Sequence, residues 1–220
     1  MESLISFSSD YKKYATAQKM LWRLHKKKLI EIYRDPWNKK NYIFLGSSGI
    51  NEINPELKPR LNSGALYHDS KVSTLGLLIS KLDKVFSKIE LEHEIKKGKH
   101  FKDIGECIPD ARVIGNLKGQ NFEAAIELEL TQKEKVRIIE KAKYYLESKY
   151  YNHAFYFFPS STTLKNYYKI LKEEFGLEFN KKIFLFSCPS LINSRPSLSV
   201  GSGFVNNKER SFFDVFNGGI

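Results

Sequence analysis

Between residues 124 and 131, apolar and polar side chains alternate without a break. Ala124, Ile126, Leu128 and Leu130 fall on one face, and Ala125, Glu127, Glu129 and Thr131 on the other. This alternation predicts a strand. A Gly/Asn-containing loop over residues 115–121 precedes it, and a strand beginning at Asp110 completes an antiparallel hairpin. A helical pattern follows over residues 132–150, with Val136, Ile139, Ala142, Leu146 and Tyr150 as its apolar stripe. A strand rich in Ile, Leu and Ala, set between a turn and a long amphipathic helix, is expected at the centre of its sheet. Neither face of such a strand is freely wet, so Glu127 and Glu129 need a partner.

Upstream, Tyr14, Ala17, Leu21, Leu24 and Leu29 recur at helical spacing in residues 11–29, among Lys12, Lys13, Lys19, Arg23, Lys26, Lys27 and Lys28. Two β-prone runs, residues 30–34 and 41–45, flank a turn marked by Asp35, Pro36 and Asn38, with Trp37, Lys39 and Lys40 beside them. A basic helix followed by a basic hairpin matches the recognition helix and wing of a winged helix-turn-helix, where the helix enters the major groove and the wing touches the backbone. On that reading Lys19, Arg23, Lys26, Lys27, Trp37, Lys39 and Lys40 contact DNA. A plain solvated lysine face is the alternative. Residues 1–50 then form a partial winged-helix module, and residues 51–65, with Pro55 and Pro59, a linker.

A second domain is expected over residues 66–187. Val72, Leu75, Leu78, Ile79, Leu82 and Phe86 predict a helix over residues 70–86, and residues 89–95 alternate as a strand with Glu90, Glu92 and Glu94 on its polar side. After the hairpin and its helix come an aromatic strand at residues 153–158, a helix at 164–175 stopped by Gly176, and a strand at 182–186. Residues 188–220, rich in Ser, Asn, Gly and Pro, are expected to form a flexible tail. It ends in an apolar knot of Phe212, Phe213, Val215 and Phe216 that docks on the body or on a partner. The fold class is α/β, more narrowly α+β: a winged-helix-like module followed by an αβββαβ core.

Composition changes the picture in one respect. A chain of 220 residues, 41% hydrophobic and 28% charged, is ordinary for a globular protein. Its 36 Lys and Arg against 25 Asp and Glu leave a net charge of +11, which favours nucleic acid as partner. Cys107 and Cys188 belong to no metal-ligand spacing and imply reduced thiols. No apolar run approaches the roughly 20 residues of a membrane helix, and no signal-peptide core is visible. A cytoplasmic protein with no membrane partner is expected.

The candidate chemistry lies in the hairpin. Pro109 sets Asp110 at the start of the first strand, and the interval to Glu127 suits neighbouring antiparallel strands, so Asp110, Glu127 and Glu129 converge. Oxygen ligands of this kind suit Mg²⁺ or Mn²⁺, and such a site cleaves phosphodiesters. Asp110, Glu127 and Glu94 are the expected metal ligands, Glu129 a further ligand or a base positioning water, and Lys133 the charge-stabilising cation. Lys135 and Lys141, with Lys133, Arg137, Lys143 and Lys149, offer a phosphate track along the helix. The alternative is that the strand carboxylates face solvent and pair with the helix lysines.

Pro109-Asp110, Glu127-Leu128-Glu129, and Thr131 and Lys133 opening a basic helix resemble the PD-(D/E)xK, restriction-endonuclease-like fold. More narrowly, roughly residues 15–175 resemble the replication-relaxation family of plasmid and mobile-element proteins, which includes mobilisation accessory proteins. Tyr67-His68-Asp69 at a helix start and Glu94 extend the resemblance. It implies a restriction-endonuclease-like core and a divalent-metal-dependent DNA endonuclease, or else a non-catalytic DNA-binding accessory factor in plasmid replication or mobilisation. The nuclease pattern has Lys two residues after the Glu; this chain has Glu129 there, with Lys133 the nearest substitute. A homodimer, or a protein partner reached through the N-terminal module or the tail, completes these expectations.

Overall fold

The structure, a computed structural model, describes residues 14–34, 39–53, 65–82, 84–96, 107–192, 196–199, 201–205 and 208–217. The chain divides into two compact units, residues 1–70 and 71–220.

In the first unit, helix α1 (Tyr14–Lys26) leads to an antiparallel pair, β1 (Ile30–Arg34) and β2 (Asn41–Leu45), with Ile30 opposite Leu45 and Arg34 opposite Asn41. Ala17 and Leu21 are its buried stripe. Where the sequence suggested only a wing closure, a short helix α2 (Ser47–Ile53) forms. It presses on the turn between α1 and β1: a Cβ at Gly46 would stand 2.3 Å from the Lys28 carbonyl oxygen, and one at Gly49 2.2 Å from that of Leu29. No side chain fits at either position. Lys19, Arg23, Lys26, Lys27, Lys39 and Lys40 are exposed, with Lys26 above the exposed Trp22 ring and Lys40 above Tyr67. Trp37 and residues 54–64 of the expected linker lie outside the described residues.

The second unit is a mixed α+β fold on one seven-stranded sheet. Helix α3 (Leu66–Ile79) leads to β3 (Phe86–Leu91), α4 (Glu92–Ile95) and the hairpin β4 (Ala111–Leu117) and β5 (Gln120–Leu128). Then come α5 (Lys135–Glu147), β6 (His153–Phe158), α6 (Ser161–Phe175) and β7 (Ile183–Ser187). Strands β8 (Gly203–Val205) and β9 (Lys208–Arg210) and helix α7 (Phe212–Asn217) follow. The sheet order follows the chain, β3 to β9: β5, β6 and β7 run parallel, and every other neighbouring pair is antiparallel.

Strand β5 is central, as its composition predicts, between β4 and β6. The β4–β5 turn is tighter than expected: only Lys118 and Gly119 leave the ladder, both at positive φ, which suits a two-residue hairpin turn. Register places Ala111, Val113, Ala124 and Ile126 on the sheet face that also carries Phe155 and Phe184. Phe212 and Phe216 of α7 pack on Phe155, and Gly76 of α3 lies against Ile89 and Leu91. The opposite face carries Ala125, Ala154, Tyr156, Ile183 and Leu185, packed with Ile138, Ala142 and Tyr145 of α5 and Leu164, Tyr167 and Leu171 of α6. Helices therefore cover both faces.

Three expectations change. The helix expected to Phe86 ends at Ile79, because Phe86 is drawn into β3 and stacks on Phe212. The strand expected to Ile95 ends at Leu91, where the Glu94 carboxylate accepts the Leu91 N–H and caps α4. The expected flexible tail instead supplies the last two strands of the sheet and a helix, since Phe212 and Phe216 are buried and β8 pairs with β7. Among the described residues no helix is long and apolar enough to cross a membrane.

Candidate active site

Alternation along β5 places Ala125 and Glu127 on the face covered by α5 and α6, and Glu129, just past the strand, continues it. Pairing of Ala111 with Ile126 brings Asp110 beside the end of β5, where its Oδ2 accepts the Leu128 N–H at 2.7 Å. Glu129 is fixed by its own N–H, which donates to the Phe157 carbonyl at 2.9 Å. Glu127 and Glu129 are 1% and 5% exposed. Carboxylates this deep require compensation.

Compensation comes from α5. Lys141 donates from Nζ to Glu127 Oε2 at 2.5 Å, and the buried Tyr145 hydroxyl donates to Glu127 Oε1. The ammonium is acted on by Glu127, Asp110 and Glu129 together, and their attraction outweighs burial and holds Lys141 above the ordinary lysine range. Burial drives Glu127 the other way from a surface carboxyl, up to about 8, with Asp110 adding to the rise and Lys141 and Tyr145 opposing it. Glu129 is also raised, by burial first, against the pull of Lys141 and Lys133. Glu127 and Glu129, buried and facing one committed ammonium, thus hold on to protons.

Beside this pair lies a partly enclosed cleft of about 70 Å³ lined by Glu129, Lys133, Arg137, Ile138, Lys141, Tyr156 and Tyr167. Glu129 Oε2 and the Tyr156 and Tyr167 hydroxyls have no hydrogen-bond partner. The Tyr167 hydroxyl lies within reach of the Glu129 carboxyl and the Lys133 backbone, at a geometry short of an ordinary hydrogen bond.

The expected residues are therefore distributed unevenly. Asp110, Glu127 and Glu129 share one site, and Lys133 lines the cleft next to Glu129. Glu94 spends its carboxylate on the α4 cap. Lys135 is paired with Glu173 of α6 at 3.4 Å, exposed on both sides. Lys141, expected on a DNA-facing track, turns inward instead. Among the described residues no three His, Cys, Asp or Glu side chains stand as a ready metal-ligating group. Oxygen ligands are the kind that suit Mg²⁺ or Mn²⁺, but those of Glu127 are taken by Lys141 and Tyr145.

Sequence reasoning missed Tyr145, Tyr156 and Tyr167. The available signal was a second stripe on α5, Ile138, Ala142 and Tyr145, which puts Lys141 at its margin. The arrangement defines a buried acid–lysine site at the C-terminal end of the central strand, with a basic cleft beside it. Compared with family models, curated proteins and solved structures, the chain matches none.

Proposed function

We propose that this is a cytoplasmic DNA-binding protein whose second unit is a PD-(D/E)xK-like, divalent-metal-dependent DNA endonuclease domain. The observation that carries the reading is Lys141 seated on Glu127 beside Asp110 and Glu129. The Glu-Leu-Glu sequence lacks the lysine of the nuclease pattern, and the neighbouring helix supplies one in space. The succession of a helix, a three-stranded antiparallel meander, a helix and a parallel strand supports a restriction-endonuclease-like core. The resemblance to replication-relaxation proteins points to a plasmid or other mobile element as the setting.

Asp110 and Glu127 would hold Mg²⁺ or Mn²⁺, which would supply an activated water and neutralise charge at the leaving oxygen. Glu129 offers its unmet oxygen to orient a water, and Lys141 and Lys133 meet charge that builds on the phosphate. In the first unit, α1 and the β1–β2 hairpin, read as a winged-helix-like module, present Lys19, Arg23, Lys26, Lys27, Lys39 and Lys40 to the duplex backbone.

The test is incubation of supercoiled and linear plasmid with the full chain and Mg²⁺ or Mn²⁺, beside Asp110→Ala, Glu127→Ala and Lys141→Ala. Cleavage by the parent chain and its loss in all three variants is expected. No cleavage, or cleavage that survives in the variants, removes the enzyme. A non-catalytic accessory factor is favoured by one observation: Glu127 is satisfied by Lys141 and Tyr145 with no metal. That reading expects DNA binding indifferent to a chelator and no strand scission.

A further inference from the structure

The cleft beside Glu129 holds donors that cleavage by Asp110, Glu127 and Lys141 does not use. Tyr156 is 2% exposed and Tyr167 1%, both line the cleft, the Tyr156 hydroxyl has no hydrogen-bond partner, and that of Tyr167 has the Glu129 carboxyl and the Lys133 backbone within reach. A buried hydroxyl left unmet costs about 1–3 kcal/mol. Phenylalanine would avoid that cost, and β6 takes phenylalanine at its neighbouring positions Phe155, Phe157 and Phe158. Tyr156 and Tyr167 share the wall of one space with the Glu129 carboxyl, and the unmet Tyr156 hydroxyl calls for an acceptor. Lys133 and Arg137 bring positive charge to the rim of that space, with Lys141 at its inner wall.

Size narrows the acceptor. A volume of about 70 Å³ has room for a few waters' worth of ligand, on the scale of one tetrahedral oxyanion and too little for a sugar or a base. An internal phosphodiester would have to carry a nucleoside out on both sides, whereas a phosphate at a strand end leaves by one. A monoester also carries more charge than a diester, which suits lysine and arginine at the rim.

We propose that the cleft bounded by Tyr156, Tyr167, Lys133 and Arg137 is a receptor for the terminal phosphate monoester of a nucleic-acid strand. This rests on the nucleic-acid reading above but not on catalysis. It directs the site toward strand ends, with Tyr156 and Tyr167 donating to phosphate oxygens and Arg137 and Lys133 meeting their charge.

The experiment measures binding of the full chain, in a chelator so that no cleavage intervenes, to one labelled oligonucleotide carrying a 5′-phosphate, a 3′-phosphate or hydroxyls at both ends. One phosphorylated form is expected to bind about tenfold more tightly than the hydroxyl form. Inorganic phosphate is expected to compete away that advantage alone. Tyr156→Phe, Tyr167→Phe and Arg137→Ala are each expected to bring the ratio of the two affinities toward one, whatever their effect on either affinity separately. Equal binding of all three oligonucleotides by the parent chain overturns the proposal while leaving the nucleic-acid reading standing, as does a ratio that persists in the three variants. Failure of every oligonucleotide to bind removes the nucleic-acid reading and the proposal with it.

Discussion

Lys141 Nζ lies 2.5 Å from Glu127 Oε2, joining α5 to the central strand β5 inside the second unit. The two ends of this contact are unequally placed: the Lys141 side chain is 31% exposed and that of Glu127 1%. Lysine can swing toward water if its partner is lost; glutamate cannot. The pair is consequently asymmetric in its consequences for stability as well as for chemistry.

Replacing Lys141 by Met strands a buried carboxylate wherever Glu127 is ionised, so Lys141→Met is expected to destabilise the second unit by about 3–5 kcal/mol well above pH 8. The loss should be much smaller at pH 5, where Glu127 sheds its charge by protonation. Glu127→Gln should cost less, and the double variant should recover most of what Lys141→Met loses. Urea denaturation of the four chains gives the coupling directly. Additive losses would show that the contact is incidental.

The same burial sets a pH dependence. Glu127 rises from an ordinary 4.5 to about 8 in the folded protein, so between those values the folded chain keeps a proton that the unfolded chain has released. Stability then falls as pH rises through that window, by up to about 1.4 kcal/mol per pH unit for one proton. Glu129, raised by the same cause, acts in the same direction. Lys141 is raised too, and its contribution persists until well above the ordinary lysine range. Unfolding midpoints measured with chelator present should decline from pH 5 to pH 8, and Glu127→Gln should flatten the decline. A parent chain whose midpoint rises over that range would contradict the burial argument.

How much of this was legible in the sequence varies by element. The strict alternation around Glu127 exposed β5, its central place, and the shared face of Asp110, Glu127 and Glu129, because side-chain parity survives folding. The helix after it was assigned its length to within a few residues but the wrong rotation. A stripe through Val136, Ile139, Ala142, Leu146 and Tyr150 is as apolar as the one buried, yet of its members Ala142 alone is buried, Val136 and Tyr150 are exposed, and Ile138 and Tyr145 join Ala142 toward the sheet. Tyrosine, apolar in body and polar at its tip, makes the two stripes indistinguishable by hydropathy alone. Only the acids on the facing strand decide between them. Strands of three residues, such as β8 and β9, are too short for alternation to register, which is why the tail read as structureless.

That tail is therefore a structural element that can be removed. Phe216 is buried and its ring centroid lies 4.9 Å from that of Phe86, 5.5 Å from Phe155 and 4.7 Å from Phe212. Phe216→Ala is expected to cost about 3–5 kcal/mol by cavity formation. Truncation after Ser211 removes Phe212 as well and should lower the midpoint further. A truncated chain that melts with the parent would show that α7 adds nothing to the core.

The first unit makes a separate prediction about DNA. On the proposed reading its exposed cations supply the electrostatic part of binding, so affinity should fall steeply with salt, the slope growing by about 0.9 for each phosphate neutralised. Replacing Lys19, Arg23, Lys26 and Lys27 together by Ala should flatten the slope of log affinity against log salt. An unchanged slope in that variant would move the contact elsewhere on the chain. Loss of affinity without loss of slope would point to folding damage in α1 rather than to lost phosphate contacts.

On the proposed reading, a metal at Asp110 and Glu127 competes with the proton that Glu127 retains. Glu127, raised to about 8, is largely protonated at pH 6. A divalent cation needs the ionised carboxylate, so it must displace that proton. Affinity for Mn²⁺ should therefore tighten by up to about tenfold per pH unit below pH 8 for one proton released, then level off above it. Calorimetry in buffers of different ionisation enthalpy counts the protons released. Glu127→Gln and Asp110→Asn should each abolish binding at the site. Lys141→Met is the informative contrast: with the competing ammonium gone, a chain that still folds should bind Mn²⁺ at least as tightly as the parent while losing cleavage. Mn²⁺ affinity that is flat from pH 6 to pH 8, or that falls with Lys141→Met, would mean the carboxylates are not the ligands.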